Sequence, residues 1–380
     1  MLGSLDQLVM NSFVICGLTA LVVSAAAMPF FVKVSRRIGA ISEVGGRHVG
    51  KQPIGRLGGV GALLGIVLSI AIQIWLDPLV STAWTQGQWK TIGLIMGLIL
   101  VATIGFWDDV SRLKAHSKLL AHVVAAFICY IFGIRISGVD LPFLDPIQLG
   151  WFGLPITVLW IVGIVNAVNL IDGLDGLAGG VLLFASVVNL IVAIGSSAIL
   201  PAVLMVSMGG SIIGFLLYNW HPAKIYLGDG GAYSLGFILA VNGLLAPVQK
   251  ASTGIALLVP ILALGLPVFD TLLTMLRRLM TKRGIFYPDR GHLHHILLDA
   301  GISHRRVVVG LYAVCWILCS VALMIVLNRK RNIGYILLGA SVLWIGLWGF
   351  SVKTQLRRVF SRVFRASSET VSRKSDNYKS

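Results

Sequence analysis

Charged residues are scarce in this chain. They make up 12% of the 380 positions, whereas hydrophobic residues make up 57%, and the mean hydropathy is +0.88. A soluble domain of this size needs much more polar surface to cover its core, so a soluble fold is excluded. The composition instead predicts an all-α polytopic integral membrane protein.

Cysteine is also scarce. All four cysteines (Cys16, Cys129, Cys315 and Cys319) fall inside long apolar stretches, where cysteine behaves as a small apolar residue. No disulfide framework is therefore predicted. Cys315 and Cys319 share a helix face, but no other soft ligand lies near them in sequence, which favours packing over metal binding.

The N-terminus lacks the basic segment of a signal peptide. Before Lys33 the only charged side chain is Asp6, although the first apolar stretch ends in the small residues 24–27. We therefore expect the first span to be retained rather than cleaved.

Long apolar windows recur along the whole chain. A membrane-spanning helix needs about 20 apolar residues, and eleven windows approach or exceed that length. Two of them are short, and missing or merging one would reverse the orientation of every later span. The windows are 9–32, 57–76, 91–107, 118–137, 152–170, 177–196, 198–219, 232–247, 255–276, 307–327 and 333–352, of which 91–107 and 232–247 are the short ones.

Basic residues cluster in three segments that lie on one side if the spans alternate. They are the first connection (33–56), the ninth connection (277–306) and the tail (353–379). The connections predicted on the opposite side, 77–90 and 138–151, contain a single lysine and no arginine. The positive-inside rule then places the N-terminus in the periplasm and the C-terminus in the cytoplasm. The net charge of +16 is explained by this topology, so nucleic acid is not expected as a partner.

One connection disagrees with this orientation. The segment 328–332 contains three basic residues but should lie outside, and we treat it as a short exception. The chain then divides into a transmembrane domain, 1–352, and a basic cytoplasmic tail, 353–380. The first part of the tail is expected to lie on the inner leaflet, and the rest is expected to be disordered.

Chemically reactive side chains converge on the cytoplasmic side of this topology. Carboxylates follow span three, carboxylates and carboxamides follow span five, and a glycine-rich acidic turn follows span seven. The ninth connection adds histidines and an arginine. These clusters contain Asp108 and Asp109; Asn166, Asn169, Asp172 and Asp175; Asn219, Tyr226 and Asp229; and Arg290, His292, His294 and His295.

The combination of side chains in these clusters indicates phosphoryl transfer. Carboxylates suit Mg²⁺, which binds hard oxygen ligands and substrate phosphates together. Lysines and arginines nearby hold phosphates, here Lys51, Arg56, Lys118 and Arg290. Acids with a metal and bases with phosphates are the requirements of an enzyme that positions and neutralises a transferring phosphoryl group.

Each cluster taken alone also has a structural interpretation. Asp108 and Asp109 are compatible with solvated interface residues, and Asp172 or Asp175 with a cap of span six. The segment 228–231 is compatible with an ordinary turn. The three histidines of the ninth connection have no acid or cysteine spacing that would complete a zinc site. However, all of these clusters are predicted to lie on the same side of the membrane, which favours one shared site.

Two functions of other classes stay open at this point. A secondary transporter also carries intramembrane acids, but it usually places them near the midplane and shows an internal repeat. No clear repeat is seen here, and the acids lie at span ends. A scaffold that recruits soluble enzymes through basic loops would not need carboxylates at a membrane site.

Four motifs, in this order, resemble the polyprenyl-phosphate N-acetylhexosamine-1-phosphate transferases. They are Asp108-Asp109, the segment Asn166 to Gly180, Asn219 with Tyr226 to Gly230, and Pro288 to His295. The His-x-His-His pattern, followed by 298–301, is similar to the bacterial undecaprenyl-phosphate GlcNAc-1-phosphate transferases that start O-antigen or related glycans. It is less similar to the branch that transfers phospho-MurNAc-pentapeptide.

The resemblance implies an inner-membrane enzyme. Undecaprenyl phosphate would attack the β-phosphorus of a UDP-N-acetylhexosamine, with UDP-GlcNAc favoured, and UMP would be released. The implied cofactor is Mg²⁺, with Mn²⁺ as an alternative, and the implied partners are the two substrates and the lipid bilayer. A homodimer is compatible with the resemblance.

The resemblance also assigns roles to residues. Asp229 is implied as the principal Mg²⁺ ligand. Asp108 and Asp109 are implied as the pair at the lipid phosphate and the metal, with Asp109 as a second ligand and Asp108 as a base or a positioning group. The remaining residues are implied to bind substrate: Asn166, Asn169, Asp172, Asp175, Asn219 and Tyr226 on the nucleotide side, with Tyr226 stacking on uracil; Lys51 and Lys118 near phosphates; and Arg290, His292, His294 and His295 in a loop that closes over the sugar-phosphate.

Overall fold

The structure is a computed structural model that describes residues 2–42, 53–139, 147–245 and 293–326, with isolated positions between 262 and 346. Within these ranges lie eleven α-helices and one small β-hairpin. The helices are α1 (Leu2–Ile38), α2 (Gly58–Leu76), α3 (Pro78–Gln86), α4 (Gln88–Ser111), α5 (Ala115–Ile131), α6 (Gly153–Ile171), α7 (Leu177–Gly195), α8 (Ile199–Asn219), α9 (Gly228–Leu245), α10 (Leu293–Asp299) and α11 (His304–Val326). The hairpin pairs β1 (Gly138–Val139) with β2 (Ile147–Gln148), and a 3-10 turn, Gly150–Phe152, precedes α6.

The described helices confirm an all-α polytopic membrane protein. Seven segments among the described residues are long and apolar enough to cross a bilayer. They are Met10–Ile38, Gly58–Leu76, Gln88–Ser111, Gly150–Ile171, Leu177–Gly195, Ile199–Asn219 and His304–Met324. Helix α5 is a shorter apolar helix of 17 residues. Only isolated positions of the spans predicted at 255–276 and 333–352 are described, and the tail 353–380 lies outside the described residues, so the total of eleven stays a prediction.

Helix α9 is the centre of the bundle. It packs against α2, α4, α6 and α8, and every residue from 230 to 243 is buried. The close packing depends on glycines: a Cβ on Gly59 of α2 would overlap the Gly231 backbone, and a Cβ on Gly105 of α4 would overlap Gly230. Small residues allow helices to approach closely where apolar burial against lipid gives little driving force. The first turn of α9 is thereby fixed between α2 and α4.

The polar clusters of the described residues meet at one end of the bundle, as the alternation of spans predicts. The α1–α2, α6–α7 and α8–α9 connections contact one another there. The Tyr226 N–H donates to the Gly55 carbonyl at 2.8 Å, and the Gly176 N–H donates to Asn219 Oδ1 at 2.9 Å. At the opposite end, Trp75, Trp89 and Trp151 are exposed, as expected of a belt of aromatic residues at a membrane interface.

Candidate active site

Asp109 caps helix α9 from the end of α4. Its Oδ1 accepts the Asp229 N–H at 2.8 Å, and its Oδ2 accepts the Gly230 N–H at 2.9 Å. A carboxylate at a helix N-terminus satisfies amides that have no partner within the helix and interacts favourably with the helix dipole. The Asp109 side chain is fully buried. It therefore fixes the end of α4 against the start of α9 and sets the position of Asp229.

Arg56 bridges two of the acids. Its Nη2 lies 3.0 Å from Asp229 Oδ2, and its Nε lies 3.4 Å from Asp109 Oδ1. Burial lowers the pKa of Arg56, but the charges of Asp109 and Asp229 outweigh this effect and raise the pKa above its ordinary value. The guanidinium stays charged, and its fork holds two carboxylates that would otherwise repel each other.

Asp108 is held by the start of α5. Its Oδ2 accepts from Lys118 Nζ at 2.7 Å, and its Oδ1 accepts the Leu113 N–H at 2.6 Å. The Asp108 carboxyl group also lies close enough to that of Asp229 for the two to interact electrostatically. Two carboxyl groups at close range concentrate negative charge at one position.

Asp172 completes the acidic cluster from the connection between α6 and α7. Burial and the negative charge of Asp229 raise the pKa of Asp172 to about 7, although Arg56 and a hydrogen bond from the Gly228 backbone oppose the shift. The structure thus brings together Asp108, Asp109, Asp172 and Asp229, with Arg56 and Lys118 beside them. Asp229 lies at the centre of this group, which we call the acidic cluster.

The side chains of Asn219 and Asn166 form hydrogen bonds with the backbone of the protein. Asn219 is buried, with Oδ1 bonded to the Gly176 N–H and Nδ2 donating to the Ile225 carbonyl at 2.9 Å. Asn166 donates to the Val162 carbonyl at 2.7 Å. The Asn219 carboxamide therefore links the α6–α7 connection, through its oxygen, to the α8–α9 connection, through its nitrogen. Asn169 is half-buried one turn after Asn166, and direct contact of these three side chains with substrate stays a prediction.

Tyr226 lies between α2 and the acidic cluster. Its N–H bonds to the Gly55 carbonyl, and its own carbonyl accepts the Gly58 N–H at 2.9 Å. Burial, followed by the charges of Asp175 and Asp172, raises the pKa of Tyr226 to about 12, so the phenol stays neutral at physiological pH. The residue is only 4% exposed, and stacking on uracil stays a prediction.

Two histidines that the sequence did not single out lie beside Asp175. His221 Nδ1 lies 2.7 Å from Asp175 Oδ2, and His304 Nε2 lies 3.3 Å from the Asp175 carbonyl oxygen. Ligand atoms of the three residues lie within 4.8 Å of one another. His221 lies only two positions after Asn219, so its place near the predicted site could have been inferred from the sequence. His304 lies 129 positions from Asp175, and no local pattern connects them.

Part of the predicted site lies outside the described residues. This applies to Lys51, Arg290 and His292, and to the side chains of His294 and His295, whose backbone lies in α10. The loop predicted to close over the sugar-phosphate therefore stays a prediction.

Comparison with known proteins identifies the family. A sequence model described as Glycosyl transferase family 4 matches residues 91–246. The chain is 32% identical over 338 residues to the probable undecaprenyl-phosphate N-acetylglucosaminyl 1-phosphate transferase of Bacillus subtilis, covering 89% of this chain and 87% of that protein. It is 32% identical over 361 residues to the decaprenyl-phosphate N-acetylglucosaminephosphotransferase of Mycobacterium leprae, covering 88% and 89%.

A second branch is also related. The phospho-N-acetylmuramoyl-pentapeptide-transferase of Streptococcus thermophilus is 30% identical over 255 residues, covering 63% of this chain and 74% of that protein. The matches to the first two relatives extend over almost nine-tenths of each protein. The chain therefore belongs to the polyprenyl-phosphate N-acetylhexosamine-1-phosphate transferase family.

Proposed function

We propose that this protein transfers N-acetylglucosamine-1-phosphate from UDP-GlcNAc to undecaprenyl phosphate and releases UMP, as the first membrane step of a cell-surface glycan. The observation that carries the proposal is the acidic cluster, flanked by Arg56 and Lys118 at one end of an apolar bundle. Family membership and the names of the N-acetylglucosamine-specific relatives support the sugar and the lipid phosphate.

The proposed reaction exchanges one bond at phosphorus. An oxygen of the lipid phosphate bonds to the β-phosphorus of UDP-GlcNAc, and the bond from that phosphorus to the bridging oxygen breaks. The bridging oxygen leaves with its electron pair on UMP, and the bond between sugar and phosphate stays intact. Because a phosphate monoester is already largely ionised at neutral pH, the attack needs no strong base.

Asp108 is suited to positioning rather than to accepting a proton. Both of its oxygens have partners, Lys118 and the Leu113 N–H. Loss of Asp108 would free Lys118 and loosen the start of α5. Lys118 is partly exposed at the rim of the cluster, where its ammonium group is able to hold a phosphate of either substrate. Arg56 supplies a second positive charge, which is fixed between Asp109 and Asp229.

The residues present fit a divalent cation. Carboxylates are the hard oxygen donors that Mg²⁺ prefers, and four of them, on Asp108, Asp109, Asp172 and Asp229, come together in the acidic cluster. Asp229 would be the principal ligand. Asp109 positions Asp229 through the α9 cap, and its predicted role as a second ligand would use its remaining lone pairs. When bound, Mg²⁺ supplies charge neutralisation for the phosphates.

The position of the cluster suits a lipid acceptor. Asp108 and Asp109 lie in the last turn of α4, and Phe106 and Trp107 in the same turn are exposed on the outside of the bundle. Aromatic residues of this kind are typical of the membrane interface. An acceptor whose prenyl chain stays in the bilayer would bring its phosphate to this depth. We place this end at the cytoplasmic face of a bacterial inner membrane.

Release of UMP tests the proposal directly. Purified protein in detergent, with undecaprenyl phosphate and Mg²⁺, is offered UDP-GlcNAc, UDP-GalNAc or UDP-MurNAc-pentapeptide in separate reactions. We expect lipid-dependent UMP from UDP-GlcNAc at a rate at least tenfold above the other donors, because a site that hydrogen-bonds one sugar leaves polar groups unpaired with another. Preference for another donor would change the assigned branch, and no UMP from any donor would refute the proposal.

A further inference from the structure

Helix α11 contacts both connections on the nucleotide side of the site. The Tyr312 hydroxyl donates to the Gly176 carbonyl in the α6–α7 connection. Arg305 Nη2 donates to the His221 carbonyl at 3.0 Å in the α8–α9 connection. The His304 ring stacks on the His221 ring, with centroids 4.2 Å apart and planes 15° from parallel. Three residues of one helix thus hold two loops that are distant in sequence.

Asp175 joins these two loops to each other. Its Oδ2 contacts His221 Nδ1 and also accepts the Ala223 N–H at 3.1 Å. The Asp175 carbonyl oxygen faces His304, so the same residue contacts α11 as well. A change in the position of α11 would therefore move Asp175, and with it the loop that carries Asp172.

The Tyr312 ring is packed closely against helix α7. A Cβ on Gly180, in the first turn of α7, would overlap the Tyr312 ring. The ring is buried and meets Phe184 edge to face, with centroids 5.4 Å apart. Its hydroxyl therefore reaches the Gly176 carbonyl from a fixed position, because packed rings do not shift without opening a cavity.

We propose that α11 sets the position of the nucleotide-side loops through three positioning residues, Tyr312, His304 and Arg305, and so determines affinity for the UDP-sugar donor. This inference rests on the proposed function. None of the three residues lies in the acidic cluster, so they act on the donor through the loops. The helix also lies outside residues 91–246, which the family model matches.

The first test is Tyr312→Phe, which keeps the packed ring and removes only the hydroxyl. The Gly176 carbonyl then loses the hydrogen bond that it accepts from Tyr312. This loss should raise the KM for UDP-GlcNAc about fivefold. The KM for undecaprenyl phosphate and kcat should stay within twofold of the wild type. Arg305→Gln should change the donor KM in the same direction. Tyr130→Phe, at the opposite end of the bundle, is the matched control and should change neither KM.

Hydrogen exchange of the ligand-free protein provides a readout that does not depend on turnover. Tyr312→Phe should speed amide exchange in residues 172–180 at least threefold, and Tyr130→Phe should not. If the wild type releases no UMP, the proposed function fails and hydrogen exchange alone decides whether α11 holds the loops. If the wild type is active, the inference is overturned by an unchanged donor KM, by equal changes for both substrates, or by unchanged exchange in 172–180.

Discussion

Asp229→Asn is expected to lower the rate of UMP release about 1000-fold while the bundle stays folded. The substitution keeps the size of the side chain but removes the charge that faces Arg56 at 3.0 Å and lies among Asp108, Asp109 and Asp172. A carboxamide is a poor ligand for Mg²⁺ and cannot hold the cation against the substrate phosphates. Losing a preorganised electrostatic contact of this kind typically costs about 100-fold to 1000-fold in rate.

The measurement compares UMP release by wild type and Asp229→Asn across a titration of Mg²⁺, with size exclusion and thermal unfolding as tests of folding. Asp77→Asn is the matched control. Asp77 caps α3 by accepting the Leu79 N–H at 2.8 Å, at the end of the bundle away from the cluster, and asparagine caps helices equally well. EDTA should stop the wild-type reaction. Turnover by Asp229→Asn within tenfold of an EDTA-sensitive wild type would place the principal ligand elsewhere.

The bundle and its reactive end were predictable because both depend on local patterns. Runs of about 20 apolar residues specify helices in lipid, and alternation then brings acids at the ends of different spans to one side. The family motifs added roles for Asp108, Asp109 and Asp229. Helix α3 was missed, although Asp77 followed by Pro78 is a common helix start.

The contacts that each acid makes within the site were not predictable from those patterns. Asp109 caps α9 only because the end of α4 touches a helix that begins about 120 positions later. Arg56 was one of four candidate cations, and its place between two carboxylates follows from the pairing of Gly55 with Tyr226. Tyr312 lies 136 positions from Gly176. Contacts of this range are decided by packing, which hydropathy and charge patterns do not encode.

The second large effect is expected from Gly228→Ala, at the turn that leads into α9. Gly228 has a φ of 76°, a left-handed conformation that costs a residue with a Cβ about 1–2 kcal/mol. An added Cβ would also overlap the Arg56 carbonyl oxygen and lie 2.6 Å from Asp109 Oδ2. Relief of that overlap requires Arg56 or Asp109 to move, and both hold Asp229. We expect a loss of activity of at least about 100-fold, because misplacement of about 1 Å has an effect of this size.

Gly301→Ala separates backbone strain from the overlap. Gly301 has a φ of 85°, and nothing lies within 4 Å of an added Cβ. This control should lose a similar amount of stability from strain alone and keep its rate of UMP release within about threefold, because no contact of the acidic cluster changes. Gly228→Ala should lower the unfolding midpoint further than Gly301→Ala. Because a cation that binds only the folded state stabilises it, we expect Mg²⁺ to raise the midpoint of the wild type and of Gly301→Ala but not that of Gly228→Ala. If the two variants match in both rate and midpoint, then strain alone explains Gly228, and the close contact among α9, Arg56 and Asp109 does not position Asp229.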